Sequence, residues 1–261
     1  CLRTPFFYKE VCRSVPGARW DASAKHWYWP NDALAAEGLL DAFGPKLAAL
    51  PEADALRRIQ GSVPQAQTVI PVNGTLPEIP NLAGASWAHQ LAGYYFCRDK
   101  PGSMLAFDMG LGKSRVAVGL IRNRALLTLI LCPKSVVPVW PREFQKHLAA
   151  PEDVLVLPLN KGSVREKTAQ AQKALRSRAP RRPLVLVINY ESAWREPFAS
   201  FAAAAGFDAL LMDEIHKIKA PGGKASRFCA RLAQACPLRL GLSGTPMAHS
   251  PLDLSPHCRA L

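Results

Sequence analysis

The sequence predicts an α/β fold, a parallel sheet flanked by helices, preceded by a small α+β appendage. Three observations predict it. From residue 82 onward, short apolar runs alternate with segments of helical spacing, the pattern of strands joined by crossover helices. Two polar motifs, Asp108-Met109-Gly110-Leu111-Gly112-Lys113-Ser114 and Met212-Asp213-Glu214-Ile215-His216, each follow such a run, where open parallel sheets place their ligands. Residues 1–60 have a different, aromatic texture and are set off by a Pro/Gly-rich stretch.

In the appendage the sequence predicts a short helix over 8–14, a turn at Val15-Pro16-Gly17-Ala18, and a strand pair at Arg19-Trp20 and His26-Trp27-Tyr28-Trp29. A polar hairpin over 21–25 joins the strands, and a helix runs from Asn31-Asp32 through Leu40. Two readings of the aromatic cluster stand. Trp27 and Trp29 stack on nucleobases while Arg19, Lys25 and His26 meet phosphate, or the rings form a miniature core, since so small a unit needs large aromatics to bury enough area. Between 61 and 81, Pro64, Pro71, Pro77 and Pro80 with Gly61 and Gly74 leave no period, and the segment reads as a linker to a domain over 82–261.

In that domain the expected helices are 87–97, 113–122, 137–147, 163–178, 193–204 and 224–235, and the expected strands 103–107, 126–131, 153–157, 184–188, 208–212 and 238–242. Glycines at 110 and 112 then lie in a strand-to-helix turn, where backbone N–H groups face an anion and the helix N-terminus favours negative charge. Lys113 suits the β/γ-phosphates and the Ser114 hydroxyl suits Mg²⁺. Phe107 stands where the strict G-x-x-x-x-G-K-[ST] pattern has its first glycine. The second motif ends a buried run with two carboxylates, Asp213 suited to the Mg²⁺ shell and Glu214 to the attacking water. Together the motifs read as an ATP site.

Further segments join them: Trp87-Ala88-His89-Gln90, then 131–140 with Lys134, Ser135 and Trp140, then Ile188-Asn189-Tyr190-Glu191, then Leu242-Ser243-Gly244-Thr245-Pro246. Over about residues 82–254 this series resembles the first motor lobe of the Swi/Snf-type DNA translocases of helicase superfamily 2. The resemblance implies a RecA-like lobe that binds ATP and Mg²⁺, acts on duplex, forked or single-stranded DNA in remodelling, repair or replication, and works with a second lobe that supplies an arginine finger. It implies that Gln90 reads adenine, that 108–114 holds the phosphates, that Lys113, Asp213 and Glu214 are catalytic and that Lys134 and Ser135 contact nucleic acid. It also makes Ser243-Gly244-Thr245 the element coupling ATP state to DNA grip, with His216 linked to it by an internal hydrogen bond rather than acting as a metal ligand. RNA helicases of the DEAD-box group carry Ser-Ala-Thr at that element. An RNA-directed helicase and a non-catalytic nucleotide- or DNA-binding module are the rival classes. Residues 6–43 resemble, with Ala18 intervening before Arg19, the HARP (HepA-related protein) domain found beside some annealing helicases.

Composition sets the remaining bounds. A formal charge of +13 favours polyanionic partners. Residues 161–182 alone carry +7, from Lys161, Arg165, Lys167, Lys173, Arg176, Arg178, Arg181 and Arg182 against Glu166. This segment reads either as a solvated helix face or as a phosphate contact through Arg176, Arg178, Arg181 and Arg182. The seven cysteines form no C-x-x-C pair and read as reduced and structural. The longest apolar run, 125–132, is far short of a membrane span and no leader opens the chain, so the sequence reads as soluble and intracellular, in a prokaryotic or phage-infected cell or in a nucleus. A first residue of Cys and a short tail after Pro246 read as a fragment of a longer gene product.

Overall fold

The computed structural model describes residues 9–22, 26–29, 38–39, 42, 76–218, 220, 222–246 and 254–261. The chain divides into two compact units, Cys1–Val69 and Ile70–Leu261.

In the first unit, helix α1 (Lys9–Ser14) precedes an antiparallel pair, β1 (Arg19–Asp21) and β2 (His26–Tyr28), with Trp20 opposite Trp27. Cys12, Val15, Trp27 and Leu39 form its core, edged by Val11, Ala18 and Trp29. Of the helix expected over 31–40, all but residues 38 and 39, which are helical, lies outside the described residues, as does segment 61–75.

The second unit is built in the expected order. Helix α2 (Ala88–Arg98) leads into β3 (Gly102–Leu105), α3 (Lys113–Arg124), β4 (Leu127–Cys132), α4 (Trp140–His147) and β5 (Leu155–Pro158). Then come α5 (Val164–Ser177), β6 (Leu184–Asn189), the short helices α6 (Tyr190–Ala193) and α7 (Phe198–Ala204), β7 (Ala209–Asp213), α8 (Lys224–Ala233), β8 (Leu238–Leu242) and α9 (Leu254–Ala260). The six strands β3 to β8 are all parallel, in the order β3-β8-β7-β4-β6-β5. Both faces are covered, which is why β4 and β6 are buried throughout and apolar but for Thr128 and Asn189. The pleat sorts them: Leu129, Leu131, Leu186 and Ile188 enter the core shared with Phe198, Phe228 and Leu232, whereas Ile130, Val185 and Val187 meet Val116, Leu120, Trp140 and Phe144 on the other face.

Four expectations are revised. The helix expected over 193–204 begins only at Phe198, with Pro197, which lacks an N–H, at its N-cap, and a separate short helix ends at Ala193. Residues 79–81, the end of the expected linker, are packed rather than linking: Ile79 is buried in the domain core, and a Cβ on Gly119 would lie 2.7 Å from its side chain. Ala83 N–H donates to His147 O at 2.8 Å and Ala149 N–H to Asn81 O at 3.0 Å, so this segment is bound to the end of α4. The helix expected over 137–147 starts at Trp140, and residues 254–260, for which no element was expected, form α9, whose Ala260 is fully buried.

Candidate functional site

Strand order brings the motifs together. β8 lies between β3 and β7, so Ser243 at its end stands between the glycine loop that follows β3 and the acidic pair that ends β7.

The loop has the conformation its glycines permit. Gly110 and Gly112 have φ of 82° and 79°, and Gly112 caps α3. Gly112 is needed twice over, because a Cβ there would also collide with Gln90 Nε2. Gln90 is buried; its amide donates to Leu111 O at 3.2 Å and accepts from Trp87 N–H at 3.1 Å, while His89 Nε2 lies 2.9 Å from the same Leu111 oxygen. Phe107, the departure from the strict pattern, turns its ring edge-on to His89 at 5.4 Å and over Gly93, where a Cβ would come within 2.6 Å of it. Lys113 Nζ donates to Phe107 O at 2.8 Å and Asp108 O at 3.1 Å, and among the described residues no carboxylate pairs with it. A cleft of roughly 400 Å³ opens here, lined among others by Trp87, Gln90, Gly112, Lys113, Ser114 and Glu143. Trp87 is 60% exposed at its rim, and buried Arg115 donates to Ala83 O, Gly84 O and Ser86 Oγ, tying the segment below Trp87 to α3.

Asp213 Oδ2 accepts from Trp140 Nε1 at 3.2 Å and Oδ1 from Glu214 N–H at 3.0 Å. Burial, and secondly the Glu214 charge, push its pKa up to about 6 against these two donors. Glu214 has φ of 50°, a left-handed conformation that costs a non-glycine residue on the order of 1–3 kcal/mol. Its carboxylate lies 3.2 Å from His216 Nδ1, which lies 3.3 Å from the fully buried Ser243 Oγ. Ser243 Oγ also accepts from Thr245 N–H at 3.0 Å, and the place of a Gly244 Cβ is 3.6 Å from Phe107 O and Met109. Thus His216 bridges the acidic pair and the Ser243–Thr245 element, beside the glycine loop. Tyr190 hydroxyl completes the arrangement by donating to Asp213 O at 2.8 Å.

The residues read as nucleic-acid contacts are not brought together. Lys134 and Ser135 are exposed in the turn after β4, at the same sheet edge as Asp213. Arg176, Arg178, Arg181 and Arg182 follow α5 to the opposite edge, where Arg178 donates to Leu126 O at 3.0 Å and Arg182 to Glu152 O at 2.7 Å. Lys167, from the same basic segment, is buried against Asn189 Oδ1 at 3.1 Å and Ser192 Oγ at 3.0 Å; burial, then the nearby Lys134 charge, lower its pKa. In the first unit Trp27 is 7% exposed and Trp29 is half-buried, so the core reading holds for Trp27, which offers no free face to a base; among the described residues the exposed rings are Trp20 and Tyr28.

Sequence reasoning gave no role to Trp87, Arg115, Trp140, Glu143 and Tyr190, though Trp87, Trp140 and Tyr190 stand within its motif segments. For Trp140 and Glu143 a signal existed, since i,i+3 spacing puts both on one face of α4.

A model of the SNF2-related domain matches residues 17–256. The chain belongs to the SNF2-related domain family. Among the relatives of this SNF2-related chain, the bifunctional helicase and thymine dioxygenase JBP2 of Leishmania major is 28% identical over 208 residues, covering 72% of the chain and 18% of that protein. The chromodomain-helicase-DNA-binding protein 1-like of Mus musculus is 27% identical over 179 residues, covering 66% and 18%. The SNF2-related chain therefore spans about a fifth of the length of either. Among solved structures, the SWI2/SNF2 ATPase core of Sulfolobus solfataricus in complex with dsDNA matches with a TM-score of 0.55 at 22% identity, over 70% of this chain and 37% of that one. The Hef helicase domain of Pyrococcus furiosus matches with a TM-score of 0.51 at 17% identity, over 70% and 36%. The RecA-like fold and the helicase-type ATPase domain expected from the sequence are those of the SNF2-related family. Among the described residues no helix is long and apolar enough to cross a membrane.

Proposed function

We propose that residues 76–261 form the ATP-binding lobe of a DNA-dependent ATPase of the translocase type. The observation that carries this reading is the alignment of the glycine loop, Ser243 and the Asp213–Glu214 pair along one sheet edge, with His216 between the last two.

The residues fit a magnesium nucleotide. The left-handed glycines open the loop to an anion, Lys113 holds only main-chain carbonyls that phosphate oxygens can replace, and Asp213 is a buried carboxylate whose raised pKa a cation would lower. Mg²⁺ at phosphoryl-transfer sites needs only one or two protein carboxylates beside water and substrate oxygens. Ser114 and Asp213 would hold it, and it supplies neutralisation of charge on the phosphates. Gln90 and the exposed ring of Trp87 take the base, while residues 108–114 take the phosphates. Glu214, fixed by its turn and by His216, orients and deprotonates the attacking water. His216 then passes the state of that carboxylate to Ser243, Gly244 and Thr245. Lys134 and Ser135, exposed on the same edge, meet a DNA phosphate strand. A second lobe supplies the arginine finger, and Trp20 and Tyr28 of the HARP-like first unit stack on DNA bases.

Equilibrium binding of a fluorescent ATP analogue to residues 1–261 tests the nucleotide site. Binding that strengthens with Mg²⁺ and is competed by ATP more strongly than by GTP is expected. Binding indifferent to both would overturn the assignment. Stimulation of turnover by duplex DNA rather than RNA, measured with the second lobe present, separates the translocase from an RNA helicase.

A further inference from the structure

One turn of α4 bonds one of the two residues assigned to the metal and shares a cleft with the other. Trp140, 1% exposed, donates its Nε1 proton to Asp213 Oδ2 at 3.2 Å. Three residues on, Glu143 lines the same cleft as Ser114, with His147 Nε2 3.4 Å from its carboxylate, which holds the carboxyl below the usual range. Trp140 presents a donor and Glu143 an acceptor, and each matches what the facing residue needs. A carboxylate that ligates a cation through one oxygen is aimed by a donor on the other. A hydroxyl that ligates through a lone pair keeps its proton and needs an acceptor for it. The ring of Trp140 packs on Phe144, and His147 holds Glu143 at 3.4 Å from the next turn, so both groups are fixed before any ligand arrives.

We infer that Trp140 and Glu143 are positioning residues for magnesium, Trp140 aiming the Asp213 carboxylate and Glu143 accepting the Ser114 hydroxyl proton. Neither touches nucleotide in this role. The inference rests on the proposed nucleotide site. It makes α4 a rigid bridge between two ligands that lie far apart in sequence, on the loop after β3 and at the end of β7.

The test is the binding of a fluorescent ATP analogue to residues 1–261 across a Mg²⁺ titration and, separately, in EDTA. In Trp140→Phe and in Glu143→Gln the half-saturating Mg²⁺ concentration should rise roughly 10-fold or more, the usual size of such an outer-sphere loss. Affinity in EDTA should stay within about twofold of wild type, because base and phosphate contacts are intact. Glu143→Asp should recover part of the Mg²⁺ response. Equal losses with and without Mg²⁺ would mean a merely structural role, and an unchanged Mg²⁺ midpoint in both variants would overturn the inference. Glu143 is half-buried at the surface of α4, so its variant reports even where Trp140→Phe disturbs the core. Failure of the wild type to bind the analogue in a Mg²⁺-dependent way would instead remove the nucleotide site itself.

Discussion

Lys113 and Asp213 face the same cleft problem with opposite charges. Lys113 is held by carbonyls alone, so exchanging them for phosphate oxygens gains charge-assisted bonds at little cost. Lys113→Ala should therefore weaken Mg-ATP binding by roughly 10–100-fold in a titration of the fluorescent analogue. Glu214→Gln should bind normally yet block turnover once a second lobe is present, since the amide matches the carboxylate in size but is no base; retained turnover would take Glu214 out of the chemistry. Asp213 yields a prediction about stability. Its pKa rises from an ordinary 3.8 to about 6, so the folded chain holds this proton more tightly than the unfolded one, and stability falls as pH rises through that window. The loss amounts to at most about 3 kcal/mol. Thermal melts of ligand-free protein should show Asp213→Asn gaining on wild type between pH 4 and pH 7. A constant difference across that range would place the strain elsewhere.

Elements decide which charges and rings are available to a partner. A 14-residue helix such as α5 spans about 21 Å, enough to carry one end of a basic segment from one sheet edge to the other. Replacing Arg176, Arg178, Arg181 and Arg182 by Ala should leave the slope of DNA affinity against salt unchanged, whereas Lys134→Ala should reduce it by about 0.9. A flattened slope in the fourfold variant would return those arginines to the DNA surface. In the first unit, Trp27→Ala removes the largest ring of a small core and should cost about 3–5 kcal/mol, enough to unfold it. Trp20 is 48% exposed, so Trp20→Ala should keep the fold, checked by near-ultraviolet circular dichroism, and weaken single-stranded DNA binding by about 1–3 kcal/mol.

At the scale of the whole molecule, the described residues hold one parallel sheet with one set of ATP motifs. Phosphoryl transfer depends on electrostatic stabilisation, and an arginine finger is worth roughly 10³–10⁵ in turnover. Phosphate release by residues 1–261 alone should accordingly be very slow with or without DNA. Adding a second lobe should restore DNA-stimulated release, and that restoration should require Lys113, Asp213 and Glu214. Fast DNA-stimulated release by residues 1–261 alone would show that a second copy supplies the arginine or that no second lobe is needed.

What the sequence determined by itself is whatever local chemistry enforces. Short apolar runs of strand length that alternate with helical segments suit strands covered on both faces, and the glycines at 110 and 112 mark positions where a left-handed backbone is needed, so the α/β fold and the loop were legible in order. Only the tertiary structure decided strand order, because crossover helices of similar length suit many orders, and the order is what puts Ser243 between Lys113 and Asp213. It alone buried Trp27 and left Trp20 half exposed beside it, since two residues paired across a hairpin share one face and look alike in sequence. It alone set one turn of α4 at the site, because Trp140 bonds Asp213, 73 residues away in the chain, and Glu143 lines a cleft with Ser114, across distances that only packing closes.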